Sequence, residues 1–212
     1  MYTPRAFALD DLPELQQLIQ HTRLAQVVTF GEQGLQASHL PLLLNPDEGP
    51  NGTLYGHLAK ANPQWRDLHN GSEALVIFAG AEAYISPAFY PAKAEHGKVV
   101  PTWNYIAVHA YGKAEVFTDA ERLLALVSAL TDRHEGNRAQ PWKVSDAPAD
   151  YIDGMLKAIV GFALPIERLI GKRKLSQNRS AADMAGVREG LAASPDVRDQ
   201  TLARFIPQGV SE

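Results

Sequence analysis

The sequence contains no cysteine. Disulfide frameworks, thiolate zinc sites and cysteine nucleophiles are therefore excluded together. Long apolar runs are missing too: stretches such as ALVIFAGA, Ala74 to Ala81, fall far short of the ~20 residues that cross a bilayer. The N-terminal MYTPRAFALDDL lacks a charged region followed by an apolar run, so no signal peptide and a cytoplasmic location are expected. Positive charge is not in excess, since the formal net charge is -4, which argues against a large electrostatic footprint for nucleic acid. No G-x-x-x-x-G-K-[ST], G-x-G-x-x-G after a strand or G-x-S-x-G occurs, so a P-loop, a Rossmann fingerprint and a nucleophile elbow are unsupported. The seven histidines are scattered, HEGNR at His134 is not H-E-x-x-H, and no metal site is expected.

What is present is the balance of an ordinary globular chain: 212 residues, 45% hydrophobic and 21% charged, enough to bury a core without staples. Asp10 and Asp11 precede an amphipathic helix with Leu12, Leu15, Leu18 and Ile19 on one face and Pro13 in the first turn. LAQVVTF and LQASHLPLLL read as a hairpin about GEQG, TLYGHLA as a third strand, and NPQWRDLH as a short helix. EALVIFAGAEAYIS reads as two strands broken at the glycine, followed by a loop, PAFYPAKAEHGK. KVVPTWNYIAVHAYG opens a long strand running to about Phe117. Thr118 with Glu121 reads as a capping box for a helix whose Leu123, Leu124, Val127 and Leu130 repeat at helical spacing. PADYIDGMLKAI reads as a helix, VGFALPIERLI as a strand, and Ser180 with Asp183 opens a helix; a short helix and a frayed tail follow Ser194. Consecutive short strands with helices at the ends and after strand groups predict an α+β, mainly β fold: an antiparallel barrel with packed helices. Residues 1–191 are expected to form that domain, and 192–212 a C-terminal helical tail.

Polar and aromatic residues crowd onto strand ends in SHLP, GHLAKANPQW, YISPAFYPAK, PTWNY and KLSQNR. A flat ring system with hydrogen-bonding edges and a dianionic tail needs such a set: ring and aliphatic walls, amide donors, and Lys, Arg or hydroxyl groups at the phosphate. Flavin mononucleotide (FMN) fits that description, although Trp and Tyr on strands serve equally well as core with a satisfied polar tip.

Taken in order with MYTPRAFALDD, ASHLPLLL, VPTWNYIAVHAYG, LTDRHE, PWKVSDAP and KLSQNRSAADMAGV, these motifs resemble the PaiB family of FMN-binding proteins, often described as negative transcriptional regulators. The resemblance spans about Met1 to Leu191. It implies an FMN-binding split β-barrel, related to pyridoxamine-phosphate oxidases and flavin reductases, working as a homodimer with FMN at the subunit interface. Phe89 stands where the family usually has Trp, and Arg173 replaces the Trp of KWKLSQN.

With the resemblance, Lys60 at a strand end suits a phosphate contact, and Ser38, His39 and Ser86 are candidates for the phosphate, flavin or ribityl groups. Capping of the following loop explains Ser86 equally well. On the central strand, Thr102 and Asn104 share one face and read as polar-edge or ribityl contacts; Trp103 and Tyr105 share the other and read as a ring wall or dimer surface. Gln177 and Asn178 carry amides that can read a pyrimidine edge, whereas Ser180 reads as a helix cap. Lys172, Lys174 and Arg179 compete with Lys60 for the phosphate. Two functions follow: an FMN-binding regulator of transcription, with DNA as partner by resemblance only, or a flavin-dependent oxidoreductase acting on a small molecule. No acid, base or nucleophile is committed to a reaction, and a flavin needs few because it carries the redox chemistry itself.

Overall fold

The structure, a computed structural model, describes residues 1–208. The end of the tail expected to fray, 209–212, lies outside the described residues. In chain order the elements are β1 (Ala8–Leu9), α1 (Leu12–His21), β2 (Ala25–Gly31), β3 (Gly34–Leu40), β4 (Leu43–Asn45), β5 (Thr53–Ala59), α2 (Gln64–His69), β6 (Glu73–Ile85), α3 (Ala92–His96), β7 (Thr102–Lys113), β8 (Glu115–Phe117), α4 (Ala120–Glu135), α5 (Ala149–Leu156), β9 (Ile159–Pro165), β10 (Arg168–Lys174), α6 (Ala181–Ala192) and α7 (Val197–Ala203). The chain divides into two compact units. The first comprises Met1–Asp11, Ala79–Val108 and the segment from Ile170 onward; the second comprises Leu12–Phe78 and His109–Leu169.

In the first unit, β1, β10, β7 and β6 lie side by side in that order. Ala8 pairs with Lys172 and Leu9 with Gly171, antiparallel. Asn104, Ile106 and Val108 form the buried face of β7, as the two-residue period requires, while Trp103 is exposed. Ser180 caps α6, its hydroxyl accepting from the Asp183 amide at 3.1 Å. Leu191 of α6 and Leu202 of α7 are fully buried where the two helices pack. Phe89 lies against α6: a Cβ on Gly190 would come within 2.3 Å of its ring.

In the second unit, β6, β2 and β3 lie side by side, and β4, β5, β9 and β8 form a four-stranded sheet. The β2–β3 hairpin closes at Gly34, whose φ of 85° favours glycine. Leu123, Leu126 and Leu130 of α4 bury against Phe117, Leu156 and Ala163, and burying each leucine is worth about 1.5–3 kcal/mol.

Several expected elements change. LQASHLPLLL is not one strand: Pro41 has no N–H to continue a ladder, and β4 joins the other sheet of its unit. The Glu73–Ser86 run does not break at its glycine, since β6 is continuous; Gly80 instead permits close approach, because a Cβ there would lie 3.0 Å from Ile106. The segment after it is not all loop but holds a 3-10 turn, Pro87–Phe89, and α3. The strand opened by Thr102 stops at Lys113, and β8 pairs separately with β9. VGFALPIERLI splits in two because the Ile166 and Glu167 amides turn to the Gly52 and Tyr111 carbonyls, each at 2.9 Å. Asp119, not Thr118, caps α4, accepting from the Arg122 amide at 2.8 Å. Leu126 takes the buried place expected of Leu124, which is 40% exposed. No helix among the described residues is long and apolar enough to cross a membrane.

Candidate functional site

Lys60 follows β5 directly, and its main chain is held at both ends. Its amide donates to the Ala158 carbonyl at 2.8 Å and its carbonyl accepts from the Trp65 indole at 3.1 Å. Asn62 folds the next turn: its side-chain oxygen accepts from the Gln64 amide at 3.0 Å across Pro63, an Asx turn. Its amide group donates to the Ser38 hydroxyl on β3 at 2.9 Å. Gln64 is buried and donates to the Val27 and Gln36 carbonyls at 2.9 and 3.2 Å, tying α2 to the β2–β3 hairpin. The fold thus brings Ser38 and the Lys60 turn together, and the Lys60 ammonium is exposed with no ion-pair partner among the described residues. His39, beside Ser38, is also exposed rather than buried in a core. Asn62 was not among the residues singled out from the sequence. The Asn-Pro pair just after Lys60 was the available signal, a turn former at a strand end.

The first unit gathers a second group. Asn104 is completely buried; its amide donates to the Ser176 hydroxyl at 2.8 Å, and its oxygen has no protein partner. Ser176 is buried and adopts φ 65°, a left-handed conformation that costs a non-glycine residue energy. Lys174 donates to the Trp103 carbonyl at 2.7 Å and to the Thr102 hydroxyl. Burial, ahead of the opposing pull of Tyr105 and the repulsion of Lys172 and Arg179, holds its ammonium below the ordinary lysine pKa. Trp103 meets Tyr84 edge to face at 6.1 Å, and the Lys172 ammonium stands 5.0 Å from the Tyr105 ring.

The remaining sequence-derived candidates are engaged locally or exposed. Ser86 accepts from the Ala88 amide at 3.2 Å, capping the 3-10 turn. The Gln177 amide closes on its own loop, accepting from the Leu175 amide at 2.6 Å and donating to the Arg173 carbonyl at 2.5 Å. Asn178 is exposed. An apolar groove of about 480 Å³ in the second unit, lined by Leu43, Tyr55, Phe117, Arg122 and Leu126 among others, contains none of these residues. Its polar groups are already paired, Tyr55 with Glu48 at 2.7 Å and Arg122 with Glu115 at 2.6 Å. It lacks the free donors a phosphate needs.

Residues 1–168 match the family described as "Putative FMN-binding domain". The chain is 35% identical over 206 residues to the Bacillus subtilis "Protease synthase and sporulation protein PAI 2", covering 97% of this chain and 96% of that protein. It is 38% identical over 236 residues to an uncharacterized Aspergillus fumigatus protein, covering 90% of each. The chain is a member of this PaiB-like, FMN-binding family. FMN is the family's cofactor. Among solved structures, the FAD and heme binding protein from Mycobacterium smegmatis superposes with a TM-score of 0.59 at 17% identity, covering 84% of this chain and 78% of that one. The flavocytochrome Anf3 from Azotobacter vinelandii superposes at 0.56 with 15% identity, covering 78% and 68%. Both likenesses show the shared fold, the split barrel expected for the family. The family match takes in Ser38, Lys60 and Asn62 and ends before Lys172, Lys174, Gln177, Asn178 and Arg179. The residues present fit FMN, since the exposed Lys60 stands on the turn whose Asn62 amide holds the Ser38 hydroxyl, a cation and a hydroxyl of the kind a phosphate takes.

Proposed function

We propose that this protein binds FMN with its phosphate at the Lys60 turn, and that it works as a flavoprotein in redox chemistry on a small molecule. The carrying observation is Lys60, exposed and without an ion-pair partner among the described residues, on a main chain fixed from both sides in the turn whose Asn62 bonds Ser38. Lys60 would supply charge to the phosphate, and Asn62 would hold the Ser38 hydroxyl in place. Bound FMN supplies one- and two-electron transfer, so the chain's residues need only hold and shield it.

A role in transcription is suggested by the name of the Bacillus subtilis relative. Helix α7 speaks against direct DNA contact: it opens on Asp196, which pairs with Arg198 at 2.6 Å, and carries Asp199. A recognition helix needs free cations facing phosphates. Any regulation is therefore proposed to run through the flavin. A homodimer is proposed as well, because Phe30, Leu35, Tyr84 and Trp103 are exposed large apolar residues that a second copy would cover.

The test is to purify the protein, titrate it with FMN and riboflavin, and add NADH or NADPH without oxygen. Tight FMN binding and bleaching of the flavin band support the reading. No flavin binding at micromolar FMN, or tight salt-resistant binding to one promoter sequence without flavin, overturns it.

A further inference from the structure

We propose that the cavity between α4 and β5 in the second unit binds an uncharged aromatic carbonyl compound, with His57 as the hydrogen-bond donor and Trp142 as the ring wall. The cavity is about 440 Å³, room for one or two rings. The inference does not rest on the flavin reading, because none of Ser38, Lys60 and Asn62 lines this cavity.

Two segments that the flavin turn does not use meet here. LTDRHE supplies Thr131, His134 and Glu135 from the last turn of α4, and PWKVSDAP supplies Trp142 from the segment before α5. Glu135 fastens one to the other: its carboxylate pairs with Arg138 at 2.9 Å and accepts from the Trp142 amide at 3.2 Å. The indole is thereby held at the cavity while Trp142 stays 46% exposed.

His57 comes from the strand beneath. The two-residue period buries Leu54 and Leu58 on one face of β5 and turns His57 to the other, toward Val127 and Leu130 of α4. Burial holds its imidazole below the ordinary 6.5, so the ring is neutral at neutral pH. Of its two ring nitrogens only Nδ1 is sealed from solvent without a partner. Orphaned buried N–H groups are rarer than under-satisfied acceptors, so the proton belongs on Nε2. The nitrogen left open is a donor.

The lining sets the chemistry of the occupant. Pro41, Val127 and Leu130 are apolar, the Thr131 hydroxyl is taken by the Val127 carbonyl at 2.8 Å, and no lysine or arginine is among the described lining residues. An anion would meet the Glu135 carboxylate, and a cation would find that carboxylate already paired with Arg138. A neutral ring can lie against the indole and present a carbonyl oxygen to His57.

The experiment labels the full chain with 5-fluorotryptophan and follows its three tryptophans by fluorine NMR, with FMN present, as acetophenone is added; Trp142→Phe assigns the Trp142 signal. That signal is expected to move while those of Trp65 and Trp103 stay, and benzoate to bind at least ~10-fold more weakly. His57→Leu should weaken acetophenone by about 2- to 12-fold, the loss of one neutral hydrogen bond, and His57→Gln, which keeps an N–H donor, should recover much of it. Val127→Phe fills the cavity and should abolish binding, so a poorly folding His57 variant still leaves a readout. A Trp142 signal unmoved at about 10 mM acetophenone, movement confined to Trp65 or Trp103, or benzoate binding as tightly as acetophenone overturns the proposal. Unchanged acetophenone affinity in folded His57→Leu, or in Val127→Phe, does so too. Lys60→Ala should leave acetophenone affinity unchanged; loss of FMN and acetophenone together would put the probe in the flavin's seat and end the proposal.

Discussion

Replacing Lys60 with alanine separates a phosphate anchor from a structural lysine. The Lys60 backbone is fixed by the Ala158 carbonyl at 2.8 Å and the Trp65 indole at 3.1 Å, and both bonds survive loss of the side chain. The side chain is exposed and has no ion-pair partner among the described residues, so the cofactor-free protein should change stability by no more than about 0.5 kcal/mol. A charge-assisted hydrogen bond to a phosphate is worth about 1.5–3 kcal/mol, which corresponds to roughly 10- to 150-fold in FMN affinity. Exposure favours the lower part of that range, and raising the salt concentration should shrink the difference between wild type and variant. Riboflavin has no phosphate and should bind both proteins equally. Flavin fluorescence titrations, with circular-dichroism melting of the cofactor-free proteins, measure each quantity. Equal losses for FMN and riboflavin, or unchanged FMN affinity, would refute the assignment.

Asn104→Ala should destabilise the cofactor-free protein by about 1 kcal/mol, because it removes the buried bond to Ser176; unchanged melting with weakened FMN binding would instead make Asn104 a ligand contact. Burial holds the His57 imidazole below its ordinary 6.5. The unfolded chain therefore takes up a proton the native state refuses, and His57's contribution to stability is complete above 6.5 and lost as the pH falls towards the native value. Urea midpoints should fall with acidification through that window, less steeply in His57→Leu; identical slopes would show that other groups carry the effect. Tyr55 is pushed up to about 12 by burial and then by its bond to Glu48. Its ionisation in an absorbance titration should come at high pH, and Glu48→Gln should bring it down; an unaltered titration curve would count against that pairing.

Local chemistry made much of the secondary structure legible. The Asp10–Pro13 start of α1 with its Leu15 and Ile19 stripe, the hairpin at Gly34 and the Ser180 cap all stand as the sequence implies. They depend on residues within a turn or two of one another, which is the range over which propensity and periodicity act. The break at Pro41 has a local cause in its missing N–H, but those after Lys113 and at Ile166 were not legible, because which sheet a run joins depends on pairing with distant strands. Gly80 looked like a break for the same reason, its need for space being set by Ile106, 26 positions further along. The sequence by itself determined the family, the mixed α+β class and the types of residue a flavin phosphate would require. Only the tertiary structure decided that Asn62 carries Ser38 to the Lys60 turn across 24 positions, that Gln177 spends its amide on its own loop, and that Lys174 is held by the Thr102 hydroxyl and the Trp103 carbonyl. Hydrogen bonds and charges act over a few ångströms in space, and separation along the chain does not fix that distance until the strands have paired.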